Sequence, residues 1–167
     1  MKTILLLLGP NGIGKSTTAK HILEKQPNTA LVDSDWCRAM NPYNIDTVTN
    51  NIYSLISNYL HCPKIKTVIF PYGFHGDRKK RYDAVINKLI NDGVDFTVFP
   101  VILMCSLEEN ISRAQNDMRD NERIQRGIEN TFHFYDKYDY PKIDTTDINA
   151  EQVAERIISL LKERNVL

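Results

Sequence analysis

Cysteine is scarce in this 167-residue sequence, which contains only Cys37, Cys62 and Cys105, far apart and without a CxxC pair. Their odd number and wide spacing argue against a disulfide framework, and no histidines stand near them at zinc-ligand spacing. We therefore expect reduced thiols, as is usual in a cytoplasmic protein.

Long apolar runs are also missing. The run ILLLL at residues 4–8 ends in a glycine-rich stretch, far short of the roughly 18 apolar residues that a membrane span requires. It is also shorter than the apolar region of a secretory signal peptide. These features predict a cytoplasmic protein without a membrane anchor.

Neither sign of charge predominates. Lysine and arginine total 21, aspartate and glutamate total 21, and the formal net charge is zero. A balanced chain has no overall field that attracts a polyanion, and the sequence contains no basic stretch interleaved with aromatic residues. We expect neither long nucleic acid nor an anionic membrane as a partner.

The sequence does contain a regular alternation of short apolar runs and helical periodicity, which is typical of an α/β fold with a parallel sheet. Hydrophobic residues make up 42% of the chain, enough for one core, so we expect a single domain over 1–167. A capping box of Ser106 and Glu109 is expected to begin the helix at 106. The predicted strands are 3–8, 30–33, 67–71, 96–104 and 142–144, and the predicted helices are 15–25, 48–60, 78–91, 106–117, 128–138 and 150–164.

The segment GPNGIGKST at residues 9–17 matches the phosphate-binding pattern G-x-x-x-x-G-K-[ST]. Its glycines allow the backbone N–H groups to surround a phosphate, and the helix that follows adds positive potential. Lys15 would contact the β- and γ-phosphates, and the Ser16 hydroxyl would ligate Mg²⁺. The alternative is a glycine-rich turn with a surface lysine. The predicted nucleotide-binding residues of this loop are Gly9, Asn11, Gly12, Ile13, Gly14, Lys15, Ser16 and Thr17.

An acidic stretch, VDSDWCR at residues 32–38, follows the second predicted strand. In an extended segment Asp33 and Asp35 would point the same way, because side chains two apart share a face. The forked guanidinium of Arg38 suits a phosphate, sulfate or carboxylate. The alternative is a polar turn or helix cap followed by an exposed arginine.

An arginine-rich stretch, MRDNERIQRG at residues 118–127, interrupts the apolar periodicity. Arg119 and Arg123 are like charges four apart, which a purely structural helix does not favour. Arginines on a mobile segment can neutralise the charge that develops on a transferred phosphoryl group. The alternative is a solvated helix with ion pairs between residues four apart, namely Glu109 with Arg113 and Glu122 with Arg126.

With GPNGIGKST, VDSDWCR and RAQNDMRDNERIQRG in this order, the chain resembles the small P-loop kinases. These include shikimate, gluconate and adenylylsulfate kinases, chloramphenicol phosphotransferase and the kinase domain of polynucleotide kinase. The resemblance spans almost the whole chain and implies a three-layer α/β fold, a five-stranded parallel sheet in the order 2-3-1-4-5, and an arginine-rich lid near 118–127. No N-K-x-D or D-x-x-G motif indicates a GTPase.

The resemblance also implies roles for individual residues. Asp35 would orient or deprotonate the acceptor hydroxyl, Asp33 would hold a Mg²⁺-bound water, and Arg38 would hold an anionic group of the acceptor. Arg119 and Arg123 would reach the phosphates and act in catalysis with Lys15. Arg113 would stack on the adenine.

The third predicted strand ends in TVIFPYGFHGD, with neither a Walker B aspartate nor the G-G-G of shikimate kinase, which disfavours shikimate as the acceptor. By the same resemblance, Tyr72 and His75 would face the acceptor. The alternative for His75 is a solvated loop histidine. The run RKKR at 78–81 is most simply a solvated helix start, although it could touch an anionic acceptor.

These features predict an ATP- and Mg²⁺-dependent kinase that transfers the γ-phosphate to a hydroxyl of a small molecule. One alternative is a kinase for nucleotides or polynucleotide 5′-hydroxyls. Another is an ATP-binding regulatory module without transfer activity. The acceptor, the choice between ATP and GTP, and the oligomeric state stay open at this point.

Overall fold

A five-stranded parallel sheet forms the centre of the protein. The computed structural model describes residues 2–116, 121–124, 128 and 131–166. The strand order is β2-β3-β1-β4-β5, and each neighbouring pair is parallel. Both the predicted fold class and the predicted sheet order are thereby confirmed. The strands are β1 (Lys2–Leu8), β2 (Thr29–Leu31), β3 (Thr67–Pro71), β4 (Phe96–Met104) and β5 (Lys142–Asp144).

Helices cover both faces of the sheet. They are α1 (Lys15–Lys25), α2 (Ser34–Cys37), α3 (Ile45–His61), α4 (Arg78–Asn91), α5 (Leu107–Asn116), α6 (Asn121–Ile124) and α7 (Ala150–Glu163), with a 3₁₀ helix at Phe132–Tyr135. Within the described residues, no helix has both the length and the apolar character that crossing a membrane demands.

The apolar run of β1 is buried on both sides. Successive residues of a strand point to opposite faces of the sheet. Ile4, Leu6 and Leu8 pack in the core beneath α3 and α4. Leu5 and Leu7 pack in a second core with α1 and α7. All five side chains are at most 1% exposed, which explains why β1 is apolar throughout and why the fold has three layers.

The strand order determines where a ligand can bind. Leu7 on β1 lies beside Pro71 on β3 and Val101 on β4. The chain leaves β1 toward β2 on one side of the sheet and leaves the neighbouring strand β4 toward β5 on the other, so the sheet has a switch point between β1 and β4. Ligands of open parallel sheets bind outside the carboxyl ends of the strands at such a point. The loops after β1, β2 and β3 all lie at this edge, because the strands are parallel.

Helix α3 begins at Ile45 rather than at residue 48, and two other predicted elements differ more strongly from the structure. The second strand ends at Leu31 rather than at residue 33, because Asp33 is instead the N-cap of α2. The predicted helix at 128–138 is also wrong, since a 3₁₀ helix at Phe132–Tyr135 and a turn occupy most of its described part. Aromatic rings pack against one another there, including those of Phe134 and Tyr138. Tertiary packing outweighs helix propensity in this segment.

Candidate active site

The P-loop between β1 and α1 has the backbone that its glycines permit. Gly9, Gly12 and Gly14 have φ angles of 140°, 79° and 93°, in the left-handed region that favours glycine. A Cβ on Gly9 would lie 2.4 Å from the carbonyl oxygen of Leu103, so no larger residue fits. Helix α1 begins at Lys15 without a side-chain cap and without an acidic residue in its first turn. Its N-terminal N–H groups therefore suit an anion.

Lys15 brings a cation to the loop. Its Nζ donates hydrogen bonds to the carbonyl oxygens of Gly9, at 2.9 Å, and of Pro10, at 2.7 Å. Ser16 is half-buried in the first turn of α1, where a metal-ligating hydroxyl is expected. The remaining predicted loop residues occupy both environments: Ile13 is buried in the core shared with α7, Asn11 and Gly12 are half-buried, and Thr17 is exposed.

A pocket of about 540 Å³ adjoins the P-loop. Arg113 lies in its wall together with the loop that follows β5. The Arg113 guanidinium donates to Glu109 Oε1 at 2.7 Å, to Thr145 Oγ1 at 3.1 Å and to the Thr145 carbonyl oxygen at 2.6 Å. These bonds hold a planar cation beside the pocket. The lining residues are Ile13, Gly14, Thr17, Thr18, Glu109, Arg113, Thr145, Thr146, Asp147, Ile148, Asn149, Ala150 and Val153.

Local hydrogen bonds shape the far wall of this pocket. The carboxylate of Asp144 accepts from the Thr146 N–H at 2.9 Å and from its hydroxyl at 2.6 Å, and these bonds hold the pKa of Asp144 below its usual range. The same hydroxyl oxygen accepts from the Ser106 N–H at 3.0 Å. The Ser106 Oγ does cap α5 by accepting from the Glu109 N–H at 3.2 Å. The expected capping box is not formed, because the Ser106 N–H is already used and Glu109 pairs with Arg113.

The acidic stretch after β2 is a helix cap, which corrects the extended D-x-D geometry expected from the sequence. A carboxylate oxygen of Asp33 accepts from the Asp35 N–H at 2.9 Å, and Asp35 lies in the first turn of α2. Aspartate at an N-cap satisfies a backbone donor that a strand would leave unpaired. Both residues still follow β2, whose pairing continues through the bond from Val32 N–H to the Ile69 oxygen at 2.9 Å. They therefore remain at the carboxyl edge of the sheet.

Asp35 and Arg38 lie together on an open surface. The distance from Asp35 Oδ1 to Arg38 Nη1 is 3.6 Å, and both side chains are exposed. The Arg38 guanidinium also lies 5.8 Å from the centre of the Tyr43 ring, which is itself exposed. Trp36 is 80% exposed, so it is not a core residue. The loop that carries Asp35 thus presents charged and aromatic groups to solvent.

The loop after β3 lies against the P-loop. The Tyr72 N–H donates to the Leu7 carbonyl oxygen at 2.9 Å, which extends the sheet to the start of the loop. The Tyr72 side chain is only 4% exposed and stacks on Phe70 with ring centres 4.9 Å apart. The structure thus places Tyr72, expected to contact the acceptor, in the core. The ring of His75 lies over Gly73, where a Cβ would come within 2.9 Å of its Cε1.

His75 is half-buried near several cations. Burial, together with the charges of Arg78, Lys15 and Arg81, lowers the pKa of His75 to about 4. The imidazole is therefore neutral at neutral pH. Its Nδ1 is buried and has no hydrogen-bond partner among the described residues. Protonation would place a further positive charge among three existing ones.

Tyr135 joins the P-loop to the loop after β3, and no motif in the sequence predicts this contact. Its ring is fully buried, and its oxygen accepts a hydrogen bond from the Phe74 N–H at 3.0 Å. The backbone of Gly9 is a second partner, and because this contact lowers the pKa of the phenol, the Gly9 N–H is the donor. Burial is the larger influence and raises the pKa of Tyr135 overall. A signal in the sequence could not be found because both partners are far away along the chain.

The arginine-rich segment is described only in part. Arg119 and Arg126 lie outside the described residues, and α6 is described without the Arg123 side chain. Ile124 and Ile128 are buried with Ala114 of α5 in a small separate core. The predicted lid at 118–127 and its phosphate contacts therefore stay predictions.

Comparisons with known proteins agree with this architecture. No protein-family model matches the chain, and no curated protein matches its sequence. Among solved structures, the tunicamycin resistance protein of Deinococcus radiodurans superimposes with a TM-score of 0.69 at 17% identity, covering 96% of each chain. Shikimate kinase from Acinetobacter baumannii in complex with shikimate gives a TM-score of 0.65 at 16% identity, covering 98% of this chain and 95% of that one.

A gluconokinase from Sinorhizobium meliloti gives a TM-score of 0.62 at 13% identity, covering 96% of this chain and 92% of that one. These identities are too low to transfer an activity or a substrate. The matches do extend over nearly the full length of both partners, and the sheet order agrees with them. This chain has the fold of the small P-loop kinases.

Proposed function

We propose that the protein is a phosphotransferase that moves the γ-phosphate of ATP to a hydroxyl group of a small molecule. The observation that carries this proposal is the uncapped N-terminus of α1, with the Lys15 ammonium 2.9 Å from the Gly9 oxygen, beside a pocket of about 540 Å³. The backbone and Lys15 would bind the phosphates, and the pocket next to Arg113 would take the base. The free state of Cys37, Cys62 and Cys105 supports a cytoplasmic location.

Magnesium fits the residues at this site. Within the described part of the chain, no three histidine, cysteine or acidic side chains converge. Mg²⁺ does not need such a cage, because it is commonly held by one or two protein groups, phosphates and water. The Ser16 hydroxyl and the Asp33 carboxylate are the groups that we assign to it. When bound, the ion would neutralise charge on the phosphates.

Asp35 is the residue that we assign to the acceptor. Its carboxylate is exposed at the carboxyl edge of the sheet and would accept the proton of an incoming hydroxyl. Arg38, 3.6 Å away, would orient that carboxylate. Lys15 would stabilise the negative charge on the transferred group. The lid arginines Arg119 and Arg123 are proposed to complete this charge neutralisation.

The test is an ADP-release screen over sugars, sugar acids, nucleosides and antibiotic alcohols, followed by Asp35→Asn. We expect the variant to bind ATP normally and to lose on the order of 10²-fold or more in turnover, because the general base is removed. Asp95→Asn is the matched control, since Asp95 is exposed and precedes β4 at the opposite edge of the sheet.

The outcomes separate the alternatives. Unchanged turnover in Asp35→Asn would remove Asp35 from the chemistry. Normal ATP binding with no acceptor-stimulated ADP release across the panel would instead favour a regulatory ATP-binding module. Stimulation only by nucleosides or by oligonucleotides with a 5′-hydroxyl would favour the nucleotide or polynucleotide kinase alternative.

A further inference from the structure

Helix α4 begins with four consecutive basic residues, 78–81, and has no acidic residue in its first turn. The two lysines of this run have carboxylate partners. Lys79 Nζ lies 2.5 Å from Asp83 Oδ1, and Lys80 Nζ lies 3.5 Å from Asp77 Oδ1. Arg78 and Arg81 form no ion pair with any carboxylate in the part of the chain that the structure describes. The run is therefore not a uniformly solvated and compensated helix start.

The environment of the two arginines makes their lack of a counter-ion costly. Residues three apart lie on the same side of a helix, so Arg78 and Arg81 are close like charges. Both are half-buried, and both lie near the N-terminus of α4, where the helix dipole disfavours cations. The Arg78 guanidinium lies 6.0 Å from the centre of the buried Tyr72 ring, which is a weak compensation. A bound anion would relieve this imbalance.

These arginines follow the loop after β3, which lies against the P-loop. Phe74 and Gly9 share the Tyr135 oxygen as hydrogen-bond acceptor, and the Gly9 carbonyl oxygen holds the Lys15 ammonium. The loop that carries His75 is thus tied directly to the phosphate-binding loop. The charges of Lys15, Arg78 and Arg81 all lower the pKa of His75, so its ring is within electrostatic reach of the P-loop lysine and of both arginines. An anion at Arg78 and Arg81 would therefore lie at the same edge of the sheet as the P-loop.

We propose that Arg78 and Arg81 form an anion-binding subsite, and that the acceptor is a hydroxyl compound bearing a carboxylate or a phosphate group. This inference rests on the proposed kinase function. The forked guanidinium groups suit the paired oxygens of such a group. His75, held neutral by its surroundings, leaves the subsite with the charge of the two arginines only.

The subsite can be tested without turnover, using inorganic phosphate as the probe in the presence of a saturating non-hydrolysable ATP analogue and Mg²⁺. The ring protons of His75 are followed by NMR and identified by their loss in His75→Asn. We expect phosphate to raise the pKa of His75 from about 4, because an anion offsets the neighbouring cations, and to raise the melting temperature.

The double variant Arg78→Gln/Arg81→Gln should weaken phosphate binding by roughly tenfold or more, because charge-assisted hydrogen bonds are lost. Its melting temperature without phosphate should be no lower than that of the wild type, since a repulsive pair is removed. Lys80→Gln is the matched control, because Lys80 belongs to the same run but pairs with Asp77. It should keep the phosphate response.

Two results would overturn the subsite. One is an unmoved His75 pKa, or one that phosphate shifts equally in the double variant. The other is a double variant that loses affinity for the ATP analogue while keeping its phosphate response, since the arginines would then serve the triphosphate. Failure of the proposed kinase function has a different signature: the wild type would not bind the analogue, or no hydroxyl compound would stimulate ADP release.

An activity assay can also test whether the subsite selects anionic acceptors. In the ADP-release assay, hydroxy acids and phosphorylated alcohols are paired with their neutral counterparts. The wild type should prefer the anionic member of each pair, and the double variant should lose that preference mainly through KM. Equal turnover of both members by the wild type would contradict the assignment of this subsite to the acceptor.

Discussion

Tyr135→Phe removes one oxygen atom and leaves the ring that fills the core. The Tyr135 side chain is fully buried, and its oxygen accepts hydrogen bonds from the N–H groups of Phe74 and Gly9. Phenylalanine packs in the same space but offers no acceptor. Both N–H groups would then be left in a region from which water is excluded. The change therefore tests whether a single phenol oxygen holds two loops of the site together.

The expected cost follows from the two donors. An unsatisfied buried donor costs roughly 1–3 kcal/mol, and some relaxation is expected, so we expect Tyr135→Phe to lower the free energy of unfolding by about 3 kcal/mol. For a chain of this length that corresponds to a fall in melting temperature of roughly 6–12 °C. The loss is large but should leave a folded protein. Because Gly9 begins the P-loop, affinity for an ATP analogue should fall as well.

The assay is thermal unfolding of the wild type and the variant at one pH, followed by titration with the ATP analogue. Tyr53→Phe is the matched control, because its hydroxyl hydrogen-bonds to the exposed carboxylate of Asp92 and water can replace that bond. The control should have the same melting temperature as the wild type. A melting temperature for Tyr135→Phe within about 1 °C of the wild type would refute the reasoning. Lower stability with unchanged analogue affinity would show that the bond supports the fold but does not order the P-loop.

Two other changes have definite expectations. Gly9→Ala would place a Cβ 2.4 Å from the Leu103 oxygen at a φ of 140°, so thermal unfolding should show that the free energy of unfolding falls by several kcal/mol. Gly76→Ala is the control: at a φ of 60°, with nothing within 4 Å of the new Cβ, it should lower the free energy of unfolding by only about 1 kcal/mol. The pKa of His75 is about 4 when folded, against an ordinary value of 6.5, so the unfolded chain binds more protons between these values. Denaturant unfolding should therefore show stability falling as the pH is lowered from 6.5 toward 4, and falling less steeply in His75→Asn; parallel curves would contradict this.

Much of the fold was predictable because it is encoded locally. The bounds of α1, β3, α4, β4 and β5 agree with those predicted from the sequence. In each of these elements the apolar residues follow the pattern of a helix or of a strand, but not of both. A stop signal, the Asp92-Gly93 pair, also follows α4. The predicted helix at 128–138 failed because its aromatic residues pack with distant rings. Phe74, for example, contacts Tyr138 with ring centres 5.8 Å apart.

The residues of the candidate site also include some that were predictable from the sequence and some that were not. The P-loop is a contiguous motif, so its position at the end of β1 followed from the sequence. The geometry of Asp33 could not be predicted in this way, because an aspartate after a strand can either continue the strand or cap a helix. The hydrogen bond of 2.9 Å from the Asp35 N–H shows that Asp33 caps a helix. Tyr135 could not be predicted at all. Its partners, Phe74 and Gly9, are brought to it only by the complete fold.

Arg38 differs from Arg78 and Arg81 in whether a carboxylate lies beside it, and this difference favours different roles for them. Arg38 lies 3.6 Å from Asp35, so an anion that binds Arg38 must compete with a carboxylate already there. Arg78 and Arg81 have no such competitor among the described residues, and they lie near the N-terminus of α4. An anionic group of the acceptor is therefore better placed at α4 than at α2. In the proposed kinase reaction, the pair of Asp35 and Arg38 would then remain available to orient the attacking hydroxyl.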